Sequence, residues 1–198
     1  LPYLAGNWAA PFGSALAAGR VAGILLSLPA VLALASLLAG RDETDDHRRD
    51  GQFHGLFQLQ LSGLNGAFLT ADLFNLFVFF EVLLCASYAL LVRGPGSERF
   101  TVATHYVVIN LLASSLFLLA AALLYGVVGT LSMADLAVRV AAAPATELPL
   151  INAAGFLLLS VFAVKAALLP LGLWLPATYR ASPVAVSILF VLMTKVGV

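Results

Sequence analysis

The sequence predicts an all-α, polytopic bundle of transmembrane helices. Of its 198 residues, 62% are apolar and only 10% are charged, whereas about 25% of the residues in an ordinary soluble domain are charged. Several apolar runs approach the roughly 20 residues that a helix needs to cross a bilayer. Polar or turn-forming segments separate these runs, so we expect one membrane domain over residues 1–198 with about six transmembrane segments.

The first predicted span covers residues 21–39, after a leader that contains Trp8, an aromatic residue suited to the membrane interface. It ends at RDETDDHRRD, residues 41–50, a charged segment that no bilayer core would admit. Residues 53–92 are long enough for two crossings, and Thr70-Ala71-Asp72 is the predicted turn between them.

A polar loop, RGPGSER at 93–99, precedes a span predicted over 101–128. Residues 131–143 place apolar side chains on one side and Asp135 and Arg139 on the other. This pattern is typical of a helix lying in the membrane interface.

The next span begins at residue 150, but Pro170 follows closely. Proline removes a helix donor and clashes with the preceding turn, so we expect this helix to break near membrane depth. The final apolar run, 184–198, is shorter than a full crossing. We therefore expect an internal fragment of a longer membrane protein, with its last segment truncated.

The arginines predict an orientation. Loops 41–50 and 93–99, together with Arg180, hold six arginines, whereas Arg20 and Arg139 lie on the other side. Positive residues are enriched on the cytoplasmic side of membranes. Loops 41–50 and 93–99 are therefore predicted to be cytoplasmic in a multi-pass plasma-membrane protein.

Three charged residues lie within the apolar runs: Glu81, Lys165 and Lys195. A charge at the bilayer centre is costly and usually has a partner or a wet cavity. An acid and an amine in a low dielectric alter each other's proton affinity, so moving one of them can release a proton. The residues predict a proton relay through Glu81, Lys165 and Lys195; alternatively, the first two only hold helices together, and Lys195 only reaches the interface.

Two further residues have alternative roles. Asp72 is placed to cap the helix that carries Glu81, or it takes part in ion uptake. Histidine is a common proton-exchanging residue in proteins, so His105 serves either as a hydrogen-bonding surface residue or in proton uptake.

The composition excludes several other functions. The formal net charge is zero and no lysine- or arginine-rich run is present, which argues against a nucleic-acid partner. A single cysteine, Cys85, excludes an internal disulfide and is expected to pack as a small buried residue. No phosphate-binding glycine loop, metal-ligand cluster or nucleophile motif is found. We therefore expect no cofactor, no metal ion and no catalytic residue.

Four segments resemble one known family. They are GAFLTADLFNLFVFFEVLLCASYALLV (66–92), GTLSMADLAV (129–138), FAVKAALLPLGLWLPATYRASP (162–183) and LMTKVGV (192–198). In these segments the chain resembles the antiporter-like proton-conducting membrane subunits shared by respiratory complex I, membrane-bound hydrogenases and Mrp-type cation/proton antiporters. Within the family, the resemblance is greatest to the D subunits of Mrp-type Na⁺/H⁺ antiporters.

The resemblance implies a first inverted repeat with a broken helix. It implies that Glu81 is the family's essential carboxylate, that Lys165 is the lysine of the broken helix, and that Lys195 is the next lysine of the relay. His105 stands where related subunits often carry a lysine.

The first functional hypothesis is therefore a membrane subunit of a multi-subunit Na⁺/H⁺ antiporter, a transporter subunit rather than an enzyme. Its partners would be other membrane subunits, the lipid bilayer, protons and Na⁺. The alternative is a proton-pumping membrane-arm subunit of an NADH:quinone oxidoreductase or a membrane-bound hydrogenase. A third hypothesis is a scaffold whose buried charges only pack helices.

Overall fold

The structure, a computed structural model, describes residues 2–4, 13–39, 51–93 and 97–196. A two-stranded antiparallel ribbon, β1 (Pro2–Leu4) and β2 (Ala15–Ala17), precedes the helices. The helices are α1 (Arg20–Ala39), α2 (Gly51–Leu69), α3 (Leu73–Val92), α4 (Ser97–Val128), α5 (Met133–Ala141), α6 (Leu148–Lys165), α7 (Trp174–Ala181) and α8 (Val184–Val196). The predicted all-α membrane fold is confirmed. The charged segment 41–50, Trp8 and most of the leader lie outside the described residues.

Within the described part of the chain, four helices are long and apolar enough to cross a membrane: α1, α3, α6 and residues Glu98–Val128 of α4. The remaining two predicted segments correspond to α2 and α8. α2 has 19 residues but contains glutamine and asparagine side chains, and α8 has 13 residues. The total of about six transmembrane segments stays a prediction.

α2 and α3 form a tightly packed helical hairpin. A Cβ atom added to Gly63 would lie 2.6 Å from the Leu83 Cβ and 2.7 Å from the Leu83 backbone nitrogen, and one added to Gly66 would overlap the Phe79 ring. Small residues allow membrane helices to approach closely, because no side chain separates their backbones. The two glycines therefore set the distance between α2 and the helix that carries Glu81.

Main-chain hydrogen bonds join three connections at one end of the bundle. The Ala71 N–H donates to Ala15 O and the Met133 N–H donates to Ala71 O, both at 2.9 Å, and the Leu73 N–H donates to Leu131 O at the same distance. The leader strand β2, the α2–α3 turn and the α4–α5 connection therefore lie side by side.

The predicted interfacial helix is α5, none of whose residues is buried. Arg139 forms an ion pair with Asp135 one turn earlier, at 3.1 Å, and donates a hydrogen bond to the Val128 carbonyl at 3.3 Å. The hydrogen bond from Arg139 lowers the pKa of the Asp135 carboxyl. The polar side of this helix thus anchors it to the end of α4.

Candidate functional site

Glu81 lies in the middle of α3 and is half-buried. Its Oε1 accepts a hydrogen bond from the Ser114 hydroxyl of α4. Asp72, the N-cap of α3, accepts a hydrogen bond from the Asn75 N–H at 2.9 Å through its carboxylate. Asp72 therefore fixes the start of the helix that carries Glu81, about two and a half turns away at 3.6 residues per turn.

Lys165 is the last residue of α6 and is 6% exposed. Its Nζ lies 4.7 Å from the centroid of the Phe80 ring and, within the described part of the chain, has no hydrogen-bond partner. The negative face of an aromatic ring attracts a cation, by about 2 kcal/mol where water is excluded. The ring of Phe80 is thus the contact that the protein gives to the buried ammonium group.

Glu81 and Lys165 are neighbours without being an ion pair. Phe80 precedes Glu81 in α3, so the ring under Lys165 adjoins the carboxylate in sequence, and the two charges interact electrostatically. No carboxylate oxygen of Glu81 lies within 4.0 Å of the Lys165 Nζ in the described structure. The carboxylate is bonded to α4, whereas the ammonium group contacts α3 through an aromatic ring.

A ring cluster surrounds this contact. The Phe80 ring lies 6.4 Å from that of Phe117 on α4 and 6.5 Å from that of Phe162 on α6, while the Phe117 and Phe162 rings meet edge to face at 5.9 Å. The cluster keeps the medium around Lys165 apolar, and a low dielectric strengthens electrostatic interactions between charges.

The helix break begins directly after Lys165. The Leu168 N–H donates to Ala163 O at 2.9 Å and the Ala167 N–H donates to Val164 O at 3.1 Å, the two bonds of a Schellman C-cap. Ala167 takes the left-handed conformation that this motif requires, with a φ of 54°. The helix therefore ends five residues before Pro170, the residue from which the break was predicted, and α7 resumes at Trp174.

A small cavity with room for about one water molecule adjoins Lys165. Its lining comes from α3, α4, α6, α7 and α8 and consists of Phe80, Leu83, Leu84, Asn110, Lys165, Trp174 and Met193. Lys165 and Asn110 are the polar side chains of this lining, and Asn110 is held by a hydrogen bond from its Nδ2 to Tyr106 O at 2.9 Å.

His105 is exposed on α4. It lines a groove with Val102, Tyr106, Ile109, Leu173, Trp174 and Ala177. The groove and the Lys165 cavity share Trp174 in their linings.

Lys195 lies on an exposed side of α8, near the last described residue. It is absent from the linings of the His105 groove and the Lys165 cavity. The structure thus places Lys165 over the ring that precedes Glu81, whereas Lys195 lines neither of these two spaces.

Cys85 was expected to be buried, which is wrong: one turn after Glu81, it points to the exposed side of α3.

Sequence reasoning missed a polar cluster in the core beside this cavity. The Gln60 Nε2 donates to the Met193 Sδ at 3.1 Å, and the Tyr106 hydroxyl, 4.0 Å from the same sulfur, shares a 2.9 Å hydrogen bond with Ser87. Gln60 is fully buried, and its Oε1 has no hydrogen-bond partner in the described structure. The signal was present in the sequence, because glutamine is unusual in a membrane helix and marks the side that faces protein.

The fold and the buried charges define the class of integral membrane proteins that carry ionisable groups within their helices. Residues 70–198 match the family described as NADH:quinone oxidoreductase/Mrp antiporter, TM. The chain belongs to this family, as its sequence motifs indicated.

Two curated relatives, both named as antiporter D subunits, cover nearly all of the chain. The chain is 46% identical over 196 residues to the D subunit of a probable K(+)/H(+) antiporter of Rhizobium meliloti (strain 1021), covering 99% of this chain and 36% of the relative. It is 43% identical to the D subunit of the Na(+)/H(+) antiporter of Alkalihalophilus pseudofirmus, covering 98% of this chain and 39% of the relative. The chain thus spans little more than a third of either relative.

A solved structure has the same fold. The chain superposes with a TM-score of 0.88 on a chain of the Mrp complex from Dietzia sp. DQ12-45-1b, at 30% identity, covering 99% of this chain and 36% of that one. The resemblance to Mrp antiporter D subunits is confirmed.

Proposed function

We propose that this chain is the part of a cation/proton antiporter subunit that carries its proton relay. The observation that supports the proposal most directly is the arrangement of Glu81 and Lys165 on different helices: the buried amine lies over the ring of Phe80, the residue that precedes the acid. Because the charges interact without forming an ion pair, a small movement of α6 against α3 changes their separation and so the proton affinity of both.

The helix break supplies the movement. α6 ends at Lys165, and a left-handed residue two positions later lets the chain turn before α7 begins. Lys165 therefore lies at the end of a helix rather than within a continuous one. Interrupted helices are common at ion sites of transporters. The adjoining cavity has room for about one water molecule, and Asn110 adds a hydrogen-bonding group to its lining.

We further propose that the complete protein works with other membrane subunits and exchanges Na⁺ or K⁺ for protons, since the relatives at 46% and 43% identity are named as K(+)/H(+) and Na(+)/H(+) antiporter subunits. A proton-pumping subunit of an NADH:quinone oxidoreductase is the alternative, because the matching family includes both kinds of complex. The names of these relatives favour the antiporter.

Lys195 is proposed as the next group of the relay, and His105 as a group of the uptake path.

The proposed location is the plasma membrane. Residues 93–99, and segment 41–50 outside the described residues, are assigned to the cytoplasm on the arginine distribution. The joined connections at 15–17, 70–73 and 131–133 then lie on the opposite side.

The test is cation/proton antiport in everted membrane vesicles that contain the complete complex. Glu81→Gln and Lys165→Ala are each expected to abolish antiport, since each removes one titrating group. Glu98→Gln is the matched control, because Glu98 is exposed in the first turn of α4. Normal antiport by an assembled Glu81→Gln complex would contradict the proposal.

A further inference from the structure

Trp174 occupies a position that the relay does not explain. It is the first residue of α7 and is 7% exposed. Among the described residues, it alone lines both the cavity at Lys165 and the groove at His105. Its indole ring therefore borders both the groove beside His105 and the cavity beside the buried lysine.

Two contacts hold the indole in this position. The Trp174 Nε1–H donates to the Val164 carbonyl at 3.2 Å, and its ring lies 5.2 Å from the ring of Tyr106. Tyr106 is itself fixed, because its hydroxyl is hydrogen-bonded to Ser87 and its ring lies 5.8 Å from that of Phe190. A rotation of the indole would break its hydrogen bond to Val164.

The hydrogen bond from the indole ends on a carbonyl group at the helix break. Val164 O also receives the Ala167 N–H in the C-cap of α6, and Val164 directly precedes Lys165. The indole thus bridges the break from the start of α7 to the end of α6. If the helix break opens, the hydrogen bond to Val164 stretches and the indole moves together with the backbone of Lys165.

We propose that Trp174 is a gate between the His105 groove and the Lys165 cavity, closed when its indole N–H is bonded to Val164. This inference rests on the proposed function, since a gate beside Lys165 matters only if Lys165 exchanges protons with the outside of the bundle. Trp174 is a positioning residue, because it carries no titrating group and acts on Lys165 through the Val164 carbonyl and through access of water.

The experiment measures access to the cavity without measuring transport. Cys85 is exposed and would react, so it is first replaced with Cys85→Ala in the full-length subunit within its complex. Asn110→Cys then places a thiol in the cavity lining, at a position that is 2% exposed. The rate of modification by a small, membrane-impermeant methanethiosulfonate cation is measured in de-energised membranes opened to both sides.

The expected result is slow modification with Trp174 present and at least tenfold faster modification after Trp174→Ala. Trp174→Phe keeps a ring but lacks the N–H, so the gate should open more often, and the modification rate should rise about threefold. Phe156→Ala is the control for general loosening, because it removes an aromatic ring that is 69% exposed on α6. His105→Cys reports on the groove and should react at the same rate with or without Trp174.

Unchanged modification of the thiol at position 110 in both Trp174 variants would overturn the gate. An equal rise with Phe156→Ala would also overturn it, because loosening of the bundle would then explain access. If Trp174→Ala does not assemble, the modification rates of Trp174→Phe and the parent chain are compared instead, and equal rates would overturn the gate. Since labelling needs no ion gradient, failure of the gate and failure of the antiport proposal are read from separate measurements.

Discussion

The Ser114 hydroxyl on α4 donates a hydrogen bond to the carboxylate of Glu81 on α3. Ser115, the next residue, faces away and bonds the Leu111 carbonyl of its own helix at 2.9 Å. Two adjacent serines therefore have different roles: Ser114 bonds Glu81 on the neighbouring helix, whereas Ser115 bonds a carbonyl group of its own helix. This pair gives a sharp test of whether the polar contact of Glu81 matters.

We expect Ser114→Ala to slow antiport about tenfold, since a hydrogen bond to a charged group contributes roughly 1.5 to 3 kcal/mol and its loss changes the proton affinity of Glu81. The measurement is the antiport rate in vesicles across a range of pH. Ser115→Ala should behave like the parent protein. Equal effects of the two substitutions would show that the carboxylate contact has no special role.

Phe80→Leu is expected to reduce antiport and to lower the thermal stability of the complex. It removes the ring face under Lys165, a contact of about 2 kcal/mol at a desolvated site, and leaves a buried ammonium group without its partner. Phe74→Leu is the control on the same helix, because Phe74 is 51% exposed. The prediction fails if both leucine variants show the same transport rate and midpoint temperature.

Ala167→Gly should raise the thermal midpoint of the solubilised complex. An alanine in the left-handed region costs about 1 to 2 kcal/mol relative to allowed backbone, and glycine is free of this cost at the end of a Schellman cap. Gly172→Ala should lower the midpoint, because an added Cβ would overlap the Ala167 carbonyl oxygen. Gly155→Ala is the comparison within α6, where a Cβ meets nothing within 4 Å.

Gly63→Ala is expected to destabilise the bundle by roughly 1 to 3 kcal/mol, the usual range for overpacking. The added Cβ meets the backbone of Leu83, which cannot rotate away as a flexible side chain could. Gly55→Ala in the same helix should have no such cost, since a Cβ there meets nothing within 4 Å, and it should favour the helix by about 0.5 to 1 kcal/mol. Thermal unfolding of the two variants should shift in opposite directions.

The sequence was a good guide to the spans and to the charges within them. The predicted spans 21–39 and 101–128 correspond to α1 and α4, and the turn at 70–72 separates α2 from α3 as expected. Length and hydropathy sufficed for this, because the bilayer sets both. Glu81 and Lys165 were evident for the same reason, since a charge stands out in an apolar run.

The contacts of these charges could not be predicted in the same way. Phe80 and Trp174 are ordinary aromatic residues in an apolar sequence, and their roles depend on how α3, α6 and α7 are rotated against one another. Hydropathy does not encode that rotation. The end of α6 was also misplaced by proline reasoning alone, because an alanine in a left-handed conformation stops the helix earlier than Pro170 does.

The main-chain hydrogen bonds between Ala15, Ala71 and Met133 join three separate stretches of the chain at one end of the bundle. Backbone groups that are already paired there resist being pulled apart, since each lost bond would leave a donor and an acceptor to be satisfied anew. We therefore expect α2, α3 and α4 to separate more easily at the opposite end of the bundle than at these joined connections.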